Sequence, residues 1–197
     1  VAWNHDDGRS LDPRLVWTAA QAGTYFVQVF GFSHPATADV KFAGSDATVY
    51  RLHLSGGPYV SHTVPLGIQR GAVTSLRVEG WNLGAVAHRT FSVDGRDLAP
   101  TTASLAWSRP EFENGLMLPV GDGPEWTEAD RAKAKSDAAP SAPFAITGCI
   151  ERAGEEDRFA FAAAKGEKLV FEVQSAVLGF SLDAWLAIRN GAGKELA

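Results

Sequence analysis

The sequence predicts an all-β protein composed of two β-sandwich units. Three features support this fold class: apolar and polar residues alternate with a period of two, turn-forming residues separate these segments at short intervals, and only one stretch has a helix-start signal. Many short strands with regular turn signals are typical of β-sandwiches. We therefore expect strands along most of the chain.

The alternation is clearest in residues 23–32 (GTYFVQVFGF) and 49–55 (VYRLHLS). Further strands are predicted at 72–81, 90–93, 104–107, 116–120, 144–150, 158–162, 168–173 and 182–189. One helix is predicted at 127–135, because Thr127 can cap it and Asp130 occupies the third position of its first turn.

Composition excludes several classes of protein. The 18 basic and 23 acidic residues give a net charge of −5, and no cluster of Lys or Arg interrupts the chain, so nucleic acid is not an expected partner. The longest apolar runs are far shorter than the roughly 20 residues that a transmembrane helix requires. We expect no membrane span.

The single cysteine, Cys149, excludes an internal disulfide and a zinc site built from cysteines. It lies between Gly148 and Ile150 in a strand-like run, which predicts a small, buried, apolar side chain. No cofactor is expected from this residue.

Turn signals and polar stretches divide the chain into residues 1–56, 57–121, 122–143 and 144–197. The third is a polar segment, interpreted as a linker in which Trp126 contacts a neighbouring sheet. The first and last pieces are each about 55 residues long, and pieces of that size bury too little surface to be stable alone. We expect them to form one domain together.

Residues 144–197 contain a Gly-x-Ile entry strand at Gly148 and Ile150, an acidic turn before an aromatic strand at 155–161, and Ser-Leu-Asp at 181–183. This segment resembles the first half of the bacterial pre-peptidase C-terminal (PPC) domain. The resemblance implies a jelly-roll-type β-sandwich of the kind found in secreted bacterial enzymes and large surface proteins.

Residues 1–56 resemble the second half of the same family. The likeness rests on the Gly23-Thr24-Tyr25 strand opening and on the oxygen-bearing side chains of Asn4, Asp6, Asp7 and Asp12. The two halves of the PPC-like sandwich therefore stand in permuted order in this chain.

The middle piece, 57–121, contains Pro65-Leu66-Gly67, Arg70-Gly71 and Gly80-Trp81-Asn82-Leu83. It is similar to the IPT/TIG module, an immunoglobulin-like sandwich. The combination resembles the tandem arrays of large secreted proteins of the planctomycete type, which implies a secreted or cell-surface location.

The permuted order predicts how the split sandwich is completed. The two halves could close within one chain, with Ala197 beside Val1 as in a circular permutant. The last half of one copy could equally complete the first half of the next, by strand complementation. Neighbouring domains or other copies of the protein are thus the expected partners, and the expected function is that of a structural spacer, targeting or self-assembly unit.

Asn4, Asp6, Asp7 and Asp12 also form the candidate calcium site, because calcium prefers hard oxygen ligands in loops. The loop lacks the ligand spacing of an EF-hand, and the same residue types are common in tight turns. Calcium therefore remains an alternative to a cofactor-free protein.

Six tryptophans suggest a second function, because flat aromatic rings stack on sugars. Trp3, Trp107 and Trp126 are the candidate platform residues. Trp17 and Trp185 are expected to fill cores, because they lie within the apolar pattern of their strands. A polysaccharide or another cell-wall component is accordingly the alternative partner.

No catalytic residue is predicted. The segment Gly31-Phe32-Ser33-His34-Pro35 lacks the Gly-x-Ser-x-Gly pattern of a nucleophile elbow, and the five histidines include no His-Glu-x-x-His pair. We expect a protein that is not an enzyme, with an accessory domain of a secreted hydrolase as the remaining alternative.

Overall fold

The computed structural model describes residues 2–7, 11–32, 41–133 and 139–196. The chain divides into two units. The terminal unit contains Val1–Tyr50 together with Val170–Ala197, and the central unit contains Arg51–Leu169. In the described ranges, no helix has both the length and the apolar character needed to cross a bilayer.

The central unit contains all of the extended strands found in the described residues. They are β1 (Tyr59–Val64), β2 (Ile68–Gln69), β3 (Val73–Trp81), β4 (Thr90–Asp94), β5 (Ser104–Trp107), β6 (Leu116–Gly121), β7 (Glu125–Thr127) and β8 (Ala145–Thr147). One α-helix, α1, spans Glu128–Lys133, and short 3-10 helices span Gly84–His88 and Ala176–Leu178. The all-β prediction is confirmed at this level.

These strands form three sheets. The first has the order β1-β3-β4 and is antiparallel throughout. The second has the order β2-β6-β5, in which β2 runs parallel and β5 antiparallel to β6. The third is the parallel pair β7-β8. The predicted strands at 72–81, 90–93, 104–107 and 116–120 are confirmed almost to the residue.

Alternation along the strands builds the core. In β3, Thr74, Leu76 and Val78 are buried while the residues between them are exposed. In β4, Phe91 and Val93 are buried in the same way. A strand that covers a core with one face produces this pattern, because successive side chains point to opposite faces.

One apolar cluster joins the first two sheets. Its members come from β1 to β6 and from the loops between them: Val60, Ile68, Leu76, Val78, Leu83, Phe91, Val93, Trp107, Phe112, Leu116 and Leu118. Every buried hydrophobic residue in the described ranges belongs to this cluster.

The Gly80-Trp81-Asn82-Leu83 motif ends β3 and returns the chain to the core. A Cβ at Gly80 would lie 2.1 Å from the Tyr59 carbonyl oxygen, so only glycine permits this approach of β1. Asn82 has a φ of 56°, in the left-handed region that asparagine tolerates. Leu83 then packs into the apolar cluster.

Five predicted strands are not strands in the structure. Residues 23–32, 49–55, 158–162, 168–173 and 182–189 form no ladder. Among the described residues, the β-type backbone pairings in or beside these segments are isolated bridges. They join Phe32 to Phe42, Ser141 to Ala162 and Arg189 to Glu195. An alternating pattern shows that a segment suits a half-buried strand, but a ladder also requires a neighbour in register.

The predicted helix start is confirmed. Asp130 Oδ2 accepts hydrogen bonds from the Thr127 amide at 2.9 Å and from its hydroxyl at 2.7 Å, while the Asp130 amide donates to Thr127 Oγ1 at 3.2 Å. These reciprocal bonds form a capping box. The hydrogen bond from the Thr127 hydroxyl lowers the pKa of Asp130. Residues 134 and 135 of the predicted helix lie outside the described residues.

The segment 122–143, interpreted as a linker, contains β7 and α1. Trp126 lies in β7, where its ring centroid is 5.3 Å from that of Phe144 and 4.8 Å from the Arg131 guanidinium. Because β7 pairs with β8, this segment forms one strand of the third sheet.

Burial of Cys149 was predicted wrongly, since its side chain is exposed. The strand β8 ends at Thr147, so Cys149 lies outside the strand that was expected to bury it. The amide of Cys149 donates to Glu128 Oε2 at 3.2 Å.

The Asn114 side chain takes the place of a neighbouring strand at the open edge of β1. Its Nδ2 donates to the Val60 carbonyl at 2.8 Å, and its Oδ1 accepts from the Val60 amide at 2.8 Å. Val60 is itself in the core. Without Asn114, a buried backbone donor and a buried acceptor would lose their partners.

We therefore expect Asn114→Ala to lower the free energy of unfolding by about 2 to 4 kcal/mol, the cost of leaving two buried polar groups unpaired. Urea unfolding followed by tryptophan fluorescence measures the change. The control Glu113→Ala, which truncates an exposed neighbour, is expected to change stability by about 0.5 kcal/mol or less. Equal losses in the two variants would contradict this role of Asn114.

Candidate functional site

The terminal unit exposes most of its large apolar side chains, although burial of apolar side chains normally drives folding. Those exposed in residues 1–50 are Trp3, Leu11, Leu15, Val16, Trp17, Tyr25, Phe26, Val27, Val29, Phe30, Phe32, Phe42, Val49 and Tyr50. Those exposed in residues 170–197 are Val170, Phe171, Val173, Val177, Leu182, Trp185, Leu186 and Leu196. Extensive exposed apolar surface marks an interaction site in a folded protein.

Four rings of this unit, His5, Phe30, Phe32 and Phe42, contact one another. We call them the aromatic cluster. The Phe32 and Phe42 rings are stacked at 5.3 Å, and Phe30 meets their edges at 5.9 and 5.5 Å. The His5 ring meets Phe32 edge-on at 5.1 Å. Phe42 nevertheless keeps 75% of its surface exposed.

Local backbone pairing positions the aromatic cluster. Phe32 and Phe42 form an antiparallel bridge, and the Ala43 amide donates to the Gly31 carbonyl at 3.0 Å. Phe30 and Phe32 are two residues apart, so an extended backbone places their rings on one face. Alternation along residues 23–32 thus places the Phe30 and Phe32 rings together, although this segment forms no ladder.

The end of the terminal unit is a tight turn. Asn190 Oδ1 accepts hydrogen bonds from the amides of Ala192 at 3.1 Å and Lys194 at 2.9 Å. Gly193 has a φ of 81°, which favours glycine, and the Leu196 amide donates to the Ile188 carbonyl at 2.7 Å. The Gly-rich turn therefore folds residues 188–196 back on themselves.

The candidate calcium residues make other contacts. The Asn4 side chain accepts from the His5 amide at 2.9 Å and donates to the Arg14 carbonyl. Asp7 forms an ion pair with Arg14 at 2.7 Å, and Asp6 lies 3.4 Å from the His5 ring. In the described part of the chain, including Asp12, no three His, Cys, Asp or Glu side chains are grouped to hold a metal ion.

The three candidate tryptophans have different surroundings within their own units. Trp107 is only 5% exposed and packs against Phe91 and Phe112 at 5.8 Å in the central core. Trp126 is half-buried in β7, and Trp3 is 81% exposed in the other unit. The ring faces of Trp107 are therefore covered.

The expectation that Trp17 and Trp185 fill cores was wrong. Trp185 is 78% exposed, and Trp17 is exposed with its ring 4.6 Å from that of Tyr25. Neither residue lies in a strand of the structure, so the apolar pattern of its segment did not lead to burial. Ser33 and His34 of the rejected nucleophile motif lie outside the described residues.

Glu125 in β7 is a site residue that the sequence analysis missed. Its carboxyl packs against two glycines, because a Cβ at Gly67 or Gly121 would lie 2.9 Å from Glu125 Oε1. Burial raises the pKa of Glu125 from 4.5 to about 7. In the sequence, Glu125 stands between a Gly-Asp-Gly-Pro turn and a tryptophan. The same pattern is typical of a solvated loop, so it does not predict a buried carboxyl.

A pair of carboxyl groups, Glu128 and Asp157, was also missed. They meet beside Gly148, where an added Cβ would lie 3.2 Å from Glu128 Cδ and 3.4 Å from Asp157 Oδ2. Partial desolvation, the charge of Glu128 and a hydrogen bond between the two side chains raise the pKa of Asp157. The residues are 29 positions apart, so sequence spacing could not reveal the pair.

Comparison of the chain with protein-family models, curated proteins and solved structures gave no significant match.

The buried carboxyl of Glu125 makes the stability of the central unit depend on pH. Well below pH 4.5 it is protonated in both the folded and the unfolded chain and has no effect on their balance. As the pH rises toward 7 the unfolded chain releases this proton first, so the free energy of unfolding falls, by up to about 3 kcal/mol once both states are ionised.

We therefore expect Glu125→Gln to be more stable than the wild type at pH 8 and nearly equal to it at pH 4.5. Urea unfolding at both pH values measures the difference. Asp157→Asn is the comparison variant, because its raised pKa acts in the same direction from a more exposed position. An unchanged pH slope in Glu125→Gln would contradict the assignment.

Proposed function

We propose that this chain is a non-catalytic, extracellular β-sandwich module that acts as a structural spacer and self-assembly unit. The observation that carries the proposal is the apolar surface of the terminal unit. Its described side chains include 22 exposed large hydrophobics and none that is buried. A folded unit gains most of its stability from burial, so this surface requires a partner.

The grouping of the two chain ends supports one step of this assembly. Val1–Tyr50 and Val170–Ala197 belong to one unit, as expected if the permuted halves associate within a chain. Their association leaves the aromatic faces uncovered, however. Closure within one chain is therefore not sufficient, and a further copy or a neighbouring module supplies the missing layer.

The strand-like segments that form no ladder support strand addition as the mode of assembly. Residues 23–32 and 182–189 keep a period of two but lack a ladder in the structure. An extended segment without a partner exposes backbone amides and carbonyls, and these pair readily with a strand from another chain. Ladder bonds would then provide affinity, and the aromatic side chains would provide specificity.

The central unit supports the spacer role. Its two three-stranded sheets share one apolar cluster, which is the arrangement of a self-contained sandwich. The Gly80–Leu83 turn that ends β3 is one of the segments in which the sequence resembles the IPT/TIG module. We assign to this unit the mechanical task of holding successive assembly surfaces apart.

Self-association should appear in solution. The monomer mass is 21.0 kDa, and light scattering is expected to show larger species whose share rises with concentration. Phe42→Gln removes an exposed ring from the aromatic cluster, so we expect it to weaken association about tenfold or more, as truncation of an interface anchor does.

The control is Met117→Gln, which replaces an exposed apolar side chain of the central unit. It should leave association unchanged. A constant 21.0 kDa mass at all concentrations, together with cooperative unfolding, would overturn the self-assembly proposal.

A further inference from the structure

The central unit contains a groove. Its volume is about 510 Å³, and it is open at the surface. One side is formed by β4 and the residue before it, and the other by the segment that follows β5. The lining residues are Arg89, Thr90, Phe91, Ser92, Arg109, Pro110 and Glu111.

The groove lies between the open edges of two sheets. β4 is the last strand of the order β1-β3-β4, and β5 is the last strand of the order β2-β6-β5. Phe91 lines the groove and packs below it on Trp107 at 5.8 Å. Phe91 thus connects the groove to the apolar cluster of the central unit.

Two arginines give the groove a local positive charge in a protein of net charge −5. Arg89 lies over the Phe91 ring at 5.1 Å and pairs with Glu111 at 3.1 Å. Arg109 lies over the Trp107 ring at 5.9 Å and donates one hydrogen bond to the Ser92 carbonyl at 3.1 Å. The remaining N–H groups of the exposed Arg109 guanidinium can receive a carboxylate.

The other polar side chains that line the groove can form hydrogen bonds with hydroxyl groups of a ligand. Thr90 and Ser92 lie on the exposed face of β4, opposite to the face of Phe91, and both border the groove. Glu111 uses one carboxylate oxygen for Arg89 and has a second that can accept from a ligand hydroxyl. A matching ligand carries both a carboxylate and several hydroxyl groups.

A peptide strand fits this edge less well. The carbonyl of Ser92, which a strand added to β4 would use, already accepts from Arg109. Adding a strand would therefore first displace the guanidinium, which protects the edge as charged side chains commonly do. Ligands held by side chains need no such displacement.

From this arrangement we propose that the groove binds an acidic sugar, with the carboxylate on Arg109 and the hydroxyls on Thr90, Ser92 and Glu111. The sugar could be free or one unit of an acidic polysaccharide. The same contacts serve both, because the groove is open at the surface.

The test is titration of the full chain with glucuronate, oligogalacturonate and glucose, followed by NMR of the backbone amides. Saturable shifts at residues 89–92 and 109–111 with the two acidic ligands, but not with glucose, are expected. Tighter binding of the oligomer identifies a polysaccharide as the source, and equal binding identifies the free sugar acid. Equal shifts with glucose, or shifts outside the groove, would overturn the proposal.

Arg109→Gln should weaken binding of glucuronate about tenfold, the loss of one charge-assisted contact. The matched control is Arg131→Gln, which removes an equal charge from another arginine that lies over a tryptophan, at 4.8 Å. Equal weakening in both variants would show that net charge alone attracts the ligand. That result, or full binding by Arg109→Gln, would reject the site.

Discussion

Burial of one apolar cluster between two three-stranded sheets is the constraint on which the central unit depends. Leu76 and Ile68, from different sheets, are fully buried within it. Apart from β3, the strands of these sheets have six residues or fewer, and the parallel pair β2-β6 joins only two residues of each strand. Ladders of this size are marginal alone, so the shared cluster stabilises both sheets and orients their edges.

The same constraint explains where polar side chains bond the backbone. A two-sheet arrangement leaves open edges, and the chain covers them with single side chains instead of further strands. Asn114 does so beside β1, and Arg109 does so beside β4. Arg70 joins the end of β2 to Asp122 at 2.6 Å and to the Thr102 carbonyl at 2.8 Å. Arg109 thereby has both an edge-protecting role and a position in the groove.

The two units have similar sequence patterns but differ in the burial of their apolar side chains. Both contain segments with a period of two and several aromatic residues, but only the central unit covers its apolar face. In the terminal unit the aromatic cluster and Trp185 remain exposed. This contrast is the physical basis of the proposal that one unit serves assembly and the other serves as a spacer. The proposed assembly surface and the charged groove consist of residues of different units, so each can be altered alone.

The sequence by itself determined the all-β class, the strands β3 to β6 and the capping box of α1. These features depend on side-chain parity or on residues three positions apart, and both are local. Tertiary structure decided which apolar face is covered, so Trp107 lies in the core while Trp17 does not. It also decided the burial of Glu125 and the meeting of Glu128 with Asp157. Parity distinguishes two faces, but only packing between distant segments determines which face meets water and which charges become neighbours.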